Sequence, residues 1–461
     1  MISQSTAQKA LDVALSRGGD YAELFLEDTA SNSLSMQSGE SDGASSSRRC
    51  GCGVRVLDGS RYVYTYTAGL NEHDIIAAAQ AAADALAQDR QAQAVRFEVR
   101  AFGAYPLKAP EDIDNAYRAK LLIDACRAGS GVDPRISQVK ASVADVDQRV
   151  LICSSEGLFA SDRRVRTRIR VQAVASQGGD MQTGFVAPGA GCGYELFDRL
   201  DCAELGKQAA ESAVMMLSAP ECPSGFFPVV IENGFGGVIF HEACGHSLET
   251  SSVAYGNSEF CGKIGQQIAA SCVSAIDDGT LDGEWGSCAI DDEGMETKRN
   301  LLIENGVLKS YMSDIIGARR MGIARSGNGR RQDYTFAPTS RMTNTFIAPG
   351  KDNRDEMIAT MGDGLYAIKM GGGSVNPLTG EFNFAVNEAY WVKNGKIHTP
   401  VRGASLIGKG GKVLMDIDRV SDNLAHSAGM CGSSSGSVPV NVGQPCIRIK
   451  GITVGGKGEL L

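Results

Sequence analysis

No run of about 18 apolar residues occurs in the 461-residue chain, so nothing in it reads as a membrane-spanning helix. The opening stretch, MISQSTAQKALDVALSRGGD, lacks the basic, apolar and small-residue blocks of a secretory signal. It reads instead as an amphipathic helix, and the expected location is the cytoplasm. Basic residues form no tract longer than a pair such as Arg330-Arg331, and the net charge is -9. A surface of that sign repels phosphates, which argues against nucleic acid as a partner. Aromatic residues make up only 6% of the chain, and there are five histidines. Cysteine, by contrast, occurs thirteen times. An odd count in a long chain without an export signal predicts mostly reduced thiols acting as small buried hydrophobes.

The length suggests two domains. Helices are expected at 4–17, 71–88 (with Asn71 a possible N-cap), 110–128 and 200–217. Alternating strand-like segments are expected at 20–27, 31–38, 44–57, 60–67, 135–146, 148–154 and 164–177, with Asp58-Gly59 marking a hairpin. The stretch Ala219-Pro-Glu-Cys-Pro-Ser-Gly225 is punctuated by proline and glycine. It places the boundary between an amino-terminal domain, 1–218, and a carboxy-terminal domain, 226–461, which begins with a strand at 227–231 and is rich in glycine turns. The fold class is therefore α+β.

Two of the five histidines lie in Phe240-His-Glu-Ala-Cys-Gly-His-Ser-Leu-Glu249. Neutral imidazoles are good zinc ligands, and a neighbouring carboxylate can act as general base. The familiar His-Glu-x-x-His spacing leaves two rings about 40° apart on one helix face. Here the gap is one residue longer, and an ideal α-helix would separate the rings by about 140°. A π-bulge of about 4.4 residues per turn would reduce this to about 50°. The spacing thus predicts a distorted helix over about 234–250, with Gly245 supplying backbone freedom. A catalytic zinc usually takes three protein ligands. Glu249, three residues beyond His246, is one candidate for the third, and Cys431, expected in a flexible Gly429-Met-Cys-Gly432 loop, is the other.

Several other signals point to ordinary roles. Gly403-Ala-Ser-Leu-Ile-Gly-Lys-Gly410 imitates a phosphate loop until Gly410 stands where Ser or Thr is needed, and 412–417 reads as a strand. The acidic stretch 277–293 lacks a calcium-loop pattern and reads as surface hairpins. His73, His398 and His426 have no sequence partner, and Cys50, Cys52 and Cys244 read as buried thiols. Arg330, Arg331 and Arg341 are expected either to bind a peptide carboxylate or to brace loops.

The chain resembles the TldD/PmbA metallopeptidases, once described as modulators of DNA gyrase. The resemblance rests on Gly234 to Glu249, Asp277-Asp-Gly-Thr280, Ile290-Asp-Asp-Glu-Gly294, Leu302-Ile-Glu-Asn-Gly-Val-Leu308, Gly327-Asn-Gly-Arg-Arg331 and Arg341-Met-Thr-Asn-Thr345. It continues through Gly371-Gly-Gly373, Val386-Asn-Glu-Ala-Tyr390, Pro400-Val-Arg-Gly-Ala404, Met430-Cys-Gly432 and Val442-Gly-Gln-Pro445. Asp20-Tyr-Ala-Glu23 and Gly53-Val-Arg-Val56 also fit. The resemblance implies a catalytic TldD-type subunit, since the TldE (PmbA) type lacks the histidine motif. It implies Zn2+ held by His241, His246 and Cys431, with Glu242 catalytic. It further implies an amino-terminal α/β domain with an antiparallel sheet and a carboxy-terminal β-barrel-like domain carrying the metal-site helix. The expected assembly is a homodimer, or a heterodimer with a TldE/PmbA-like subunit, hydrolysing unfolded or extended peptides in an enclosed cleft. The competing readings are a non-catalytic peptide-binding or scaffold subunit and direct binding to a topoisomerase.

Overall fold

A computed structural model of the chain describes residues 1–86, 95–103, 105–376 and 379–460. Its amino-terminal part is built on one eight-stranded, mostly antiparallel sheet. The central ladder runs Arg61–Ala68, Glu40–Asp58, Tyr21–Gln37, Ile136–Ser154, Leu158–Gln177. The hairpin at Asp58-Gly59 forms with Asp58 opposite Arg61. Two pairs of expected strands are each one long strand, Tyr21–Gln37 and Ile136–Ser154. Residues 28–30, which separated the two expected segments, are part of the strand. Tyr21–Gln37 is paired on both sides along its length, so the ladder satisfies that backbone without a break.

Four α-helices among the described residues cover this sheet. Gln4–Ala14 and Glu72–Leu86 bury Ala7, Leu11, Ile75 and Ala79 against Leu24, Leu26, Val54 and Val56. Asn71 does cap the second, accepting from the Asp74 amide at 3.0 Å. Positions 87 and 88, assigned to that helix from sequence, lie outside the described residues. Asn115–Ser130 and Cys202–Ser218 bury Leu122, Ala125, Ala209 and Ala213 against Val139, Val143, Ile169 and Val171. The helix expected from 110 starts instead at Asn115. Pro110–Asp112 makes only a 3-10 turn, and the Asp114 carboxylate restarts the helix by accepting from the Tyr117 amide at 2.7 Å.

The carboxy-terminal part contains a closed five-stranded barrel. Gly225–Ile231 pairs with Ile447–Gly455, which pairs with Ala404–Lys409. That strand pairs with Glu381–Lys393, then Gly364–Val375 returns the ring to Gly225–Ile231. Beside the barrel lies a six-stranded sheet in the order Val307–Leu308, Arg299–Glu304, Ala275–Asp278, Asn344–Ile347, Gly436–Gln444, Ala425–Ser433. The fold is mixed α+β. The segment 234–248 lies between these two β-structures. Its Phe240, Ala243, Cys244 and Leu248 share one core with barrel residues such as Leu365 and Phe384 and sheet residues such as Leu302 and Val440.

Two expectations need correction here. The segment 412–417 is not a strand, because Gly410–Asp416 forms a short helix whose Val413 and Leu414 enter the same core. The acidic stretch is not a set of surface hairpins either. Asp277, Asp278, Asp291, Asp292 and Glu293 are buried. Guanidiniums and amides make that burial tolerable: Arg164 donates to Asp292 at 2.6 Å, and Asp277 accepts from the Thr343 amide at 2.7 Å. Arg55, wholly buried, donates to both Glu23 and Glu293 at 2.7 Å and so ties the amino-terminal sheet to the carboxy-terminal part. No helix among the described residues is long and apolar enough to cross a membrane.

Candidate metal centre

The helical segment entering the site changes its winding three times. Gly234–Gly237 is a 3-10 turn, Val238–Phe240 is α, His241–Gly245 is a π turn, and His246–Leu248 is 3-10 again. The backbone N–H of His246 donates to the carbonyl of His241, five residues earlier. That single widened turn brings both imidazoles to one side, with ring centroids 5.1 Å apart and planes at 82°. Gly245 is not there for backbone freedom, since its φ of -54° and ψ of -53° are ordinary helical values. Space is the reason: a Cβ at Gly245 would lie 2.4 Å from the Met342 sulfur.

Cys431 is not in a flexible loop. It lies within the strand Ala425–Ser433, where it is 4% exposed and opposite Val438. Its Sγ stands 3.2 Å from His241 Nε2 and 3.1 Å from His246 Nε2. The three donor atoms lie within 4.8 Å of one another. Glu249 stands on the other side of His246, with Oε2 3.0 Å from Nδ1, and is not part of the donor group. Glu242 is more open, with a side chain 32% exposed and an oxygen 3.8 Å from His246 Nε2.

The electrostatics differ across the group. Burial pushes His241 well below its ordinary value, and neighbouring His246 and Arg341 push the same way, so it is neutral. Burial acts in the same sense on His246. There it is outweighed by the Glu249 carboxylate and by Cys431, and the result lies well above the ordinary value. Burial raises the Glu242 carboxyl, with Glu249 adding to the rise and His246 and Arg341 opposing it.

Arg330, Arg331 and Arg341 are buried and serve as braces. Arg330 donates to the Met342 carbonyl at 2.6 Å, Arg331 to Glu23 at 2.5 Å, and Arg341 to the Cys431 carbonyl at 2.5 Å. All thirteen cysteines are free. Burial raises Cys52 to about 12 and Cys244 well above the ordinary thiol range. His73 is exposed, and His426 meets Glu284 at 3.4 Å and the Phe346 ring. A cavity of about 820 Å³ is lined by Arg163, Arg199, Asp282, Glu296 and their neighbours, and by none of the donor residues. Sequence reasoning missed the support from Gly410. A Cβ there would lie 2.4 Å from the Ala243 carbonyl, inside the π turn.

Family models described as domain 1, the central domain and the C-terminal domain of PmbA/TldA metallopeptidases match residues 22–87, 108–217 and 224–456. The chain is 35% identical to a "Metalloprotease TldD homolog" of Haemophilus influenzae, over 99% of this chain and 97% of that protein. The chain belongs to the PmbA/TldD metallopeptidase family. A "Metalloprotease" of Methanothermobacter thermautotrophicus is 33% identical, over 95% of this chain and 96% of its own length. Among solved structures, TldE of Thermococcus kodakarensis shares the fold with a TM-score of 0.75 at 16% identity, over 95% of this chain and 97% of that one. A proposed modulator of DNA gyrase from Bacteroides thetaiotaomicron does so with a TM-score of 0.78 at 19% identity, over 99% and 100%.

Proposed function

We propose that this PmbA/TldD-family chain is a cytoplasmic zinc peptidase subunit that hydrolyses unfolded or extended peptides in the cleft of a dimer. The observation carrying this reading is the convergence of His241 Nε2, His246 Nε2 and Cys431 Sγ within 4.8 Å. The donor set suits the ion. With Zn–N about 2.0–2.1 Å and Zn–S about 2.3 Å, tetrahedral geometry sets N···S at roughly 3.5 Å. The separations of 3.1 and 3.2 Å are close to that. Two imidazoles and a thiolate also favour zinc over magnesium or calcium, which prefer oxygen ligands.

When bound, zinc supplies Lewis-acid polarisation of the peptide carbonyl and lowers the pKa of a water molecule towards about 7. His241, held neutral by burial, offers a lone pair without having to lose a proton first. Glu242, more open than the donors, takes the proton of the attacking water and passes it to the leaving amine. Its raised affinity for protons suits both halves of that transfer.

The strand Ala425–Ser433 carries Cys431 and is the outermost of its sheet among the described residues. An extended peptide adding to that edge would be recognised through its backbone and run past the donors. Arg168 and Trp285 occupy the carbonyls of Ala428 and Gly429, which leaves Met430, Gly432 and Ser433 as the exposed part of the strand. The partner is a second copy or a TldE/PmbA-like subunit, and the shared fold with TldE supports the latter. The family models break between 217 and 224, in agreement with a boundary between 1–218 and 226–461, and they also divide the first of these units between 87 and 108. A non-catalytic scaffold would not need three converging donors with a carboxylate beside them.

The test is metal analysis and peptide hydrolysis on the purified chain, alone and with a TldE-type subunit. One zinc per chain is expected, with cleavage of an unfolded polypeptide abolished by chelation and restored by zinc. A chain that binds no zinc, or one whose cleavage survives zinc removal, would overturn the proposal.

A further inference from the structure

The two histidines are not equally prepared for a metal. Nδ1 of His241 is buried and has no hydrogen-bond partner. Nδ1 of His246, in contrast, lies 3.0 Å from Oε2 of Glu249, a residue only 2% exposed. As a metal ligand an imidazole is neutral and carries one N–H, and a carboxylate accepting it at Nδ1 leaves the Nε2 lone pair for the metal. That Nε2 is the atom facing Cys431 Sγ at 3.1 Å.

The other oxygen of Glu249 leads to the third donor. Oε1 accepts from the Met342 amide at 3.2 Å and lies 4.0 Å from Nε of Arg341, which is fully buried. Arg341 donates through Nη2 to the Cys431 carbonyl at 2.5 Å. Its Nη1 reaches Ser435 Oγ at 3.1 Å and the Gly436 carbonyl at 2.8 Å. One guanidinium thus clamps both strands of the hairpin that carries the thiol, while its charge faces the carboxylate that orients the imidazole. A carboxylate and a guanidinium kept this far from water make strong, directional contacts.

We propose that Glu249 and Arg341 form one positioning unit. Glu249 sets the tautomer and ring direction of His246, and Arg341 holds Cys431 in register with it across 185 residues of sequence. Neither residue is a ligand. This inference rests on the metal-centre reading above. Partners of this kind behind a metal-bound histidine are commonly worth about 10–100-fold in metal affinity.

The experiment uses the full chain and zinc alone, in competition with a chromophoric chelator, with each variant first checked for native unfolding behaviour. Glu249→Gln, which keeps an acceptor but loses the charge, should weaken zinc binding about 10-fold, and Glu249→Ala, which loses both, about 100-fold. Arg341→Lys should shift the thiolate-to-metal charge-transfer band of the cobalt-substituted protein, a signal that general loosening of the fold does not displace. Folded Glu249 variants that bind zinc as the wild type does would overturn the inference while leaving the metal-centre reading intact. A wild-type chain without zinc overturns both. Should the variants not fold, imidazole nitrogen shifts of the zinc-loaded wild type decide: a proton on Nδ1 of His246 supports the assignment, and metal on Nδ1 refutes it.

Discussion

An oxygen of Glu242 lies 3.8 Å from Nε2 of His246, the same ring nitrogen that faces the sulfur of Cys431. The acid therefore borders the donor atoms without being one of them. Glu242→Gln should keep stoichiometric zinc and lower peptide hydrolysis by at least about 100-fold, the usual contribution of a general base. Zinc content and turnover measured on the same preparation check this, and full activity in a zinc-replete variant would remove Glu242 from the mechanism.

Arg55 supplies a prediction about the join between the two parts of the chain. It donates to Glu23 and Glu293, all three side chains being fully buried. Arg55→Met would leave two buried carboxylates with one guanidinium fewer each, although Arg331 still reaches Glu23 and Arg325 still reaches Glu293. A loss of about 3 kcal/mol is expected, the lower end for breaking a buried pair. The urea midpoint measures it, and a shift of under about 1 kcal/mol would mean the remaining arginines suffice.

Asp314 gives the stability a definite pH slope. Burial, followed by the nearby Glu293, pushes its carboxyl from the ordinary 3.8 up to about 6. The folded state therefore holds a proton between those values that the unfolded chain has released. The contribution of this group is complete below 3.8 and is lost as pH rises through 6, an effect of about 3 kcal/mol. Asp314→Asn keeps an acceptor for the Gly317 amide, now at 2.9 Å, and cannot titrate. Relative to the wild type, the variant should gain in urea midpoint as pH is raised from about 4.5 to about 7, and a constant gap would refute the assignment.

Gly410 links the start of the helix Gly410–Asp416 to the metal helix. Its Cβ would meet the Ala243 carbonyl at 2.4 Å, and backbone cannot rotate away as a side-chain tip can. Gly410→Ala should cost about 1–3 kcal/mol by overpacking and also weaken zinc binding, because Ala243 lies between the two histidines. Gly372→Ala, where nothing lies within 4 Å of the new Cβ, serves as the control. Equal zinc affinity in both variants would separate Gly410 from the site.

Much of this organisation was legible beforehand where it depends on local periodicity. The Ala-rich helix Glu72–Leu86 and the hairpin at Asp58-Gly59 follow from side-chain spacing and turn chemistry alone. Each long strand was expected as two segments, but the ladder runs on through the gaps, and polar residues within it such as Asn32 and Asp145 do not interrupt it. These two bond to each other across the ladder, at 2.8 Å. The acids of 277–293 looked solvated because their arginine partners, such as Arg164, are remote in sequence.

The order His-Glu-x-x-x-His by itself determined that the turn between His241 and His246 must widen if one ion is to be shared. Five residues overshoot an α-turn, and a backbone bond across five is the local remedy. The tertiary structure alone decided that Cys431, 190 residues from His241, reaches the same point and that Glu249 turns to the back of His246. Winding is a property of consecutive peptide units. The meeting of a strand with a helix depends on the core packed between them, which no short stretch of sequence encodes.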